Sequence, residues 1–367
     1  MITSTKPTLA VLFGQPDQLS TSFQTTQLTR ALGRWFEISE LRVAPKPGKL
    51  IKVQRLWANY LKPLISKPQT DYLFYANDGF ADFARWNATR LLYWYDAPRD
   101  WVSNPPERSD WAQWLRYRNL TDADFVFAVS HKQVEMAKAL RKGRESTVCY
   151  LPVGVDCQVF DPFKVDAEPV RRRFNLPQKT IVGYLGYLAW WEGRFAGQLL
   201  LEIAPRLLEK HDVHFLIVGF GPALVDFQRH ASELGLEKNF TFTGYVANEL
   251  VPGCIGAMDI CVNTLEPGFH SLARSETKLK QYMAMGRACV ATGLGENRVD
   301  LEEGKCGVLV DPGPGNLLSG IGTLCDQPAL RGVLGEAARD RAVTFYDWPM
   351  LARRLARFIG LDKMDEH

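Results

Sequence analysis

The chain has 367 residues, long enough for two domains that each bury a full core. With 46% hydrophobic and 23% charged residues it has a globular composition, and no apolar run reaches the roughly 20 residues of a membrane span. Seven scattered cysteines without a CxxC pair argue against a disulfide framework or a cysteine metal site, and the N-terminus lacks a signal-peptide layout, so a cytoplasmic protein is expected.

The net charge of +3 hides an asymmetry. Residues 1–160 hold 21 Lys+Arg against 15 Asp+Glu, and the rest hold 23 against 26. Seven of the ten tryptophans also lie in the basic part, so the two halves present different surfaces.

In chain order, the first half shows short apolar or aromatic runs at Leu9–Phe13, Tyr72–Tyr75, Leu91–Tyr95, Phe125–Val129 and Val148–Leu151. A turn at Gly14 leads to a helical stretch, Thr25–Trp35. Lys49–Lys67 is basic throughout, with no acid between Glu40 and Asp71. As a helix it puts Leu50, Val53, Trp57, Leu61 and Leu64 on one face. It reads either as a surface helix for anionic membranes, giving peripheral contact with the inner face, or as a core-facing helix with a solvated basic side. Asp96 follows a strand-like run, where it is placed to accept a proton as a general base or to cap the turn Asp96-Ala-Pro98; Asp100 is a weaker alternative. Asp122-Ala-Asp124 imitates a metal-binding pair but precedes a strand, so it is read as structural. The histidines lack ligand spacing, and no metal site is expected.

A linker is expected at Asp156–Pro177, rich in proline and arginine. The second half repeats the pattern with runs at Ile181–Leu185, Val213–Val218, Phe240–Phe242, Ile260–Val262, Ala288–Ala291 and Val308–Val310. Runs apolar throughout, with helical patterns between them, predict parallel strands covered on both faces, hence two doubly wound α/β domains. Ligands bind such sheets outside the carboxyl ends of the strands. Gly186 and Gly219 stand there, where glycine lets a ligand approach the backbone closely.

Residues Ser275–Thr292 are the most informative. A polar loop, Phe269–Arg274, precedes a helical pattern with Leu279, Tyr282 and Met283 on one face. Gly286 stops the helix before a short buried strand. Lys278 falls in the first helical turn beside Arg274, where the helix dipole disfavours cations by ~0.3–1 kcal/mol each. An anion docked there offsets that cost. Near it, Glu296 and Arg298 follow a Gly293-x-Gly295 turn, as a pair for sugar hydroxyls or as loop stabilisers.

Taken in order, these segments resemble the family-four glycosyltransferases of GT-B fold. The matching pieces are Val148–Pro162, Ile181–Gly186, Leu216–Pro222, Phe242–Val246, Thr277–Thr292, Leu294–Arg298 and the Tyr346-Asp-Trp348 helix, within about residues 120–358. The resemblance implies two Rossmann-like domains facing a cleft: an acceptor domain at 1–160, a nucleotide-sugar donor domain at 161–345 and a C-terminal helix, 346–367, that crosses back to the first. It implies a metal-independent transfer of a hexose-type unit from a nucleoside-diphosphate sugar to a hydroxyl of a glycan, glycolipid or small molecule, without a further cofactor or nucleic acid. Gly244, Tyr245 and Val246 would hold the base. Lys278 and the amides at the start of its helix, from Ser275 on, would hold the diphosphate, with Arg274 second and Arg194 third. His270 would contact donor, or be a plain loop histidine. Gln281 occupies the place of the family's ribose-binding glutamate, Ala273 that of its other glutamate, Glu192 that of a phosphate-binding lysine and Tyr187 that of an arginine. Retention of the anomeric configuration is expected, with inversion through Asp96 as the alternative. A GT-B epimerase or phosphorylase, or an inactive GT-B sugar- or partner-binding protein, are the rivals.

Overall fold

A computed structural model describes residues 6–13, 20–42, 70–76, 88–96, 99–191, 194–195 and 197–361. The expectations for Gly14, Lys49–Lys67, Pro98 and Glu192 lie outside the described residues. The chain forms two compact units, Met1–Gly154 with Leu272–Ser275 and Trp348–His367, and Val155–Ser271 with Glu276–Asp347. The expected boundary at 160 thus falls at 154. The stretch read as a linker packs within the second unit, burying Cys157, Phe160, Val170 and Leu176 around the short helix Glu168–Arg173.

Among the described residues the first unit holds six strands: β1 (Thr8–Phe13), β2 (Glu37–Arg42), β3 (Thr70–Ala76), β4 (Ala88–Tyr95), β5 (Phe125–Ala128) and β6 (Val148–Tyr150). All are parallel, in the order β2-β1-β3-β4-β5-β6. β2 was not expected, because its sequence EISELR lies at the sheet edge and carries polar residues through its length. The helix read at Thr25–Trp35 spans Ser20–Leu32, and the chain leaves it through a turn at Gly33. The terminal helix, Trp348–Phe358, returns to this unit. Trp348, Leu351, Ala352, Leu355 and Ala356 recur at three- and four-residue spacing and are all buried. Trp348 meets Trp94 edge-on at 6.3 Å, and Phe358 lies across Phe125 and Phe127.

The second unit holds β7 (Thr180–Leu185), the small hairpin β8 (Trp190–Trp191) and β9 (Arg194–Phe195), then β10 (Val213–Val218), β11 (Phe240–Phe242), β12 (Ile260–Asn263), β13 (Ala288–Thr292) and β14 (Val308–Val310). The main sheet runs β11-β10-β7-β12-β13-β14, every pair parallel. Its strands therefore fall in the spatial order third, second, first, fourth, fifth, sixth. The chain turns outward in opposite directions from β7 and β12, which opens a crevice at their carboxyl ends. All six residues of β10 are buried, as expected for a strand covered on both faces.

One contact fixes the helix Thr277–Ala284 in this core. Lys280 Nζ lies 2.5 Å from Asp300 Oδ2, and both side chains are completely buried. Burial pushes the Asp300 carboxyl above its usual range, and the lysine opposes that shift. The Lys280 ammonium also lies 5.3 Å from the centre of the Tyr346 ring, a residue of the π-turn Ala342–Tyr346. Arg341 closes the cluster, donating to the Asp300 and Val299 carbonyls and pairing with Glu302.

Lys280→Met alone should destabilise the protein by about 3–5 kcal/mol, because it leaves a buried carboxylate unpaired. Lys280→Met combined with Asp300→Leu should recover most of that loss. Denaturant unfolding of the three proteins checks this, and a harmless single variant would mean the pair is not a structural lock.

Candidate functional site

Three adjacent strands of the second unit end in glycine at the same edge. Gly186 follows β7, Gly219 follows β10, and Gly244 lies two residues beyond β11. Backbone pairing continues past the strands: the Gly186 amide donates to the Val218 carbonyl at 3.0 Å, Leu188 to Phe220 at 2.9 Å, and Gly219 bridges Gly244. Gly219 has φ +144°, and a Cβ there would stand 1.9 Å from the Gly186 carbonyl oxygen. The close approach admits no other residue. A bare backbone rim results.

Lys278 reaches this rim from the first turn of Thr277–Ala284. A Cβ on Gly186 would lie 3.5 Å from its Nζ. The ammonium donates to the Tyr184 hydroxyl at 3.2 Å, lies 4.6 Å from that ring's centre, and sits 3.6 Å from Glu276 Oε2. Its side chain is only 15% exposed. Neither Tyr184 nor Glu276 was singled out in the sequence, and no local pattern points to them. The helix is fastened again by Tyr282, whose hydroxyl accepts the Leu185 amide at 2.7 Å. It ends at Gly286, φ +61°, with Arg287 N donating to Tyr282 O, as the glycine stop predicts.

The polar stretch Phe269–Arg274, expected as a loop, contains the short helix Phe269–Ala273. His270 is exposed on it, and Ala273 is buried, its carbonyl accepting from the Ser130 hydroxyl at 3.0 Å. Arg274 is exposed and Ser275 half-buried; both belong to the first unit. Gln281 is half-buried one turn beyond Lys278. Tyr245 is exposed, and Val246 packs against the core of the second unit.

Glu296 is buried at the start of the helix Glu296–Asp300, which follows Gly295, φ +50°. Arg298 pairs with Glu303 across the following turn. Glu296 belongs with the Lys280–Asp300 cluster, where its charge raises the Asp300 carboxyl further. Between β12 and β13 a buried polar set went unnoticed in the sequence. Asn263 Nδ2 donates to Asn297 Oδ1, Asn297 Nδ2 to the Thr292 carbonyl, and the Leu265 amide to Thr292 Oγ1, all within 2.7–2.9 Å. These bonds hold the carboxyl ends of both strands in one geometry.

In the first unit Asp96 follows β4 and is half-buried. Asp100 accepts from Ser103 N at 3.1 Å, as a turn cap does, and that bonding holds its carboxyl below the usual range. Asp122 pairs with Arg118 at 2.9 Å, and Asp124 accepts the Leu91 amide at 2.7 Å, so both have structural roles. Among the described residues no group of three or more His, Cys, Asp or Glu is arranged to hold a metal ion. No described helix is long and apolar enough to cross a membrane.

Residues 179–327 match the family model described as glycosyl transferases group 1. The 2-deoxystreptamine glucosyltransferase of Streptomyces kanamyceticus is 32% identical over 123 residues, covering 33% of this chain and 30% of that protein. The GDP-mannose-dependent alpha-(1-6)-phosphatidylinositol monomannoside mannosyltransferase of Mycolicibacterium smegmatis is 28% identical over 245 residues, 65% of this chain and 63% of its own length. The chain thus spans less than two thirds of either relative. The structure of Anabaena HepE in complex with UDP and glucose superposes with a TM-score of 0.72 at 16% identity, covering 96% of this chain and 99% of that one. The architecture is the two-domain GT-B fold.

Gly219→Ala should cost about 3 kcal/mol or more, since the added methyl meets backbone and not a movable side chain. A melting curve unchanged from wild type would show that the rim can open.

Proposed function

Starting from a family-four-like glycosyltransferase of GT-B fold, we propose that the protein transfers a hexose-type unit from a nucleoside-diphosphate sugar to an acceptor hydroxyl, without a catalytic metal and with retention. The observation that carries this reading is the meeting of the Gly186–Gly219–Gly244 rim with Lys278 at the carboxyl edge of the sheet. It lies inside the segment matched to the group 1 transferases. The glycines let a diphosphate approach the backbone, the N-terminal end of Thr277–Ala284 carries the positive end of the helix dipole, and the lysine supplies a cation.

In this reading the work of the site is electrostatic. Cleavage of the sugar–phosphate bond leaves negative charge on the departing diphosphate, and groups already aligned to receive it lower the barrier. Lys278 is held ready by Tyr184 and Glu276, and its helix is locked by the Lys280–Asp300 pair, so little reorganisation is needed. Arg274, Ser275 and Gln281 are the nearest further candidates in sequence, with His270 beside them. The acceptor proton goes to the leaving phosphate. The acceptor hydroxyl belongs to a glycan, a glycolipid or a small molecule.

A second reading, inversion with Asp96 as general base, draws on the position of that carboxylate after β4. An inactive sugar-binding protein is the remaining rival, motivated by Gln281 and Ala273 at the two glutamate positions.

Lys278→Ala should weaken a nucleoside diphosphate ten- to a hundredfold, from the ~1.5–3 kcal/mol of a charge-assisted contact, and barely affect the nucleoside. Calorimetry with both ligands checks this, and equal losses would assign Lys278 a structural role.

Transfer should persist in EDTA and survive Asp96→Asn, with a product of retained configuration by NMR. A rate reduced by ~10²–10⁴ in Asp96→Asn together with an inverted product would establish the base mechanism instead. Loss of transfer in EDTA, restored by Mg²⁺, would overturn metal independence, and absence of any donor cleavage would favour the inactive binder.

A further inference from the structure

Glu276 stands directly before the helix Thr277–Ala284, at the capping position, with extended backbone at φ −84° and ψ 113°. The residues that cap best there are Ser, Thr, Asp and Asn, whose short side chains accept an amide of the first turn. Glu276 is longer, and its side chain makes no capping bond. It reaches instead toward Lys278, with Oε2 3.6 Å from the ammonium. The glutamate side chain is 8% exposed and the lysine 15%, so little water screens the pair.

Helix capping therefore does not account for this carboxylate, and its neighbour does. A cation enclosed at the positive end of a helix dipole is disfavoured twice, by lost hydration and by the dipole itself. Tyr184 accepts a hydrogen bond from Lys278 and lends its ring face, but supplies dipoles in place of a full charge. Glu276 brings a full negative charge, at the end of the helix that favours phosphate. A Cβ on Gly186 would lie 3.5 Å from the same ammonium, so the ion pair adjoins the glycine rim.

We propose that Glu276 is an internal counter-ion of Lys278, exchanged for the diphosphate when a nucleotide binds and restored when it leaves. The proposal rests on the diphosphate reading of that site. Tyr184 and the helix keep the ammonium at the rim, so only its negative partner changes. A carboxylate close to an incoming diphosphate repels it, and like charges set side by side oppose binding strongly. Glu276 thus loosens the hold on a diphosphate, chiefly by hastening its departure. A transferase has to release the nucleoside diphosphate after every transfer, and a built-in competitor for the lysine speeds that step. Glu276 acts through Lys278 and is a positioning residue. If it served only to hold the lysine in place, its loss would weaken a diphosphate; as a competitor, its loss strengthens one.

Titration calorimetry on the whole chain with UDP, GDP, inorganic pyrophosphate, uridine and guanosine tests this. The proteins are wild type, Glu276→Gln and Glu276→Ser, each checked for folding by a melting curve. Gln keeps the size of the side chain and removes its charge. Ser removes both but places a good capping residue before the helix, which keeps the test open if the Gln variant does not fold. Competition requires the variants to bind pyrophosphate, and whichever of UDP and GDP the wild type takes, about ten- to a hundredfold more tightly. Nucleoside affinity should stay within about twofold. Diphosphate affinity unchanged or weakened in folded variants overturns the exchange and leaves the diphosphate site standing. Tightening shared equally by the nucleosides also overturns it, since the carboxylate acts on phosphate charge. Binding of no diphosphate by wild type and variants alike overturns the diphosphate reading, and the exchange with it.

Discussion

The second unit depends on an ion pair that water does not reach. Lys280 and Asp300 are twenty residues apart, and neither has any exposed side-chain surface. Two charges taken out of water are tolerated only when each compensates the other. Their positions are therefore constrained more tightly than apolar packing would require. The constraint joins the helix Thr277–Ala284 to the helix Glu296–Asp300, and through Tyr346 and Arg341 to the turn that leads into the terminal helix. Lys278 lies two residues from Lys280 on that fixed helix, so its approach to the glycine rim follows from a bond made elsewhere.

The rim depends on a different kind of economy. Each glycine removes a side chain where two backbones meet, and the paired amides and carbonyls extend β7, β10 and β11 beyond the sheet proper. A surface of fixed main-chain dipoles next to an oriented ammonium can stabilise developing charge without rearranging. Close by, Asn263 bonds Asn297, and Asn297 and the Leu265 amide bond Thr292, in the interior between β12 and β13. Left unpaired, such buried polar groups would be costly; paired, they fix the strand ends.

Much of the fold was legible because it is written in local pattern. Eleven apolar runs correspond to strands, since a parallel strand buried on both faces needs an unbroken apolar sequence. The strand missed in the first unit, β2, lies at an edge and carries Glu37 and Glu40 facing water. Leu279, Tyr282 and Met283 were read as the buried face of their helix, and they are buried. Lys280 falls outside that stripe and is buried as well, because its partner lies in another helix and no periodicity encodes it. The same reason hid Tyr184, Glu276 and the asparagine pair.

The sequence by itself determined the class of the fold, the strand-ending glycines and the helix that carries Lys278, because periodicity, glycine stops and helix-terminus electrostatics act over a few residues. It could not determine which polar groups meet. Arg298 meets Glu303, the residues Cys157, Phe160, Val170 and Leu176 of the stretch read as a linker pack into a core, and three aromatics distant in sequence, Tyr187, Phe220 and Tyr245, come together in one row. Those outcomes depend on burial and on partners brought near by the order of strands in the sheet, and only the tertiary structure decides that.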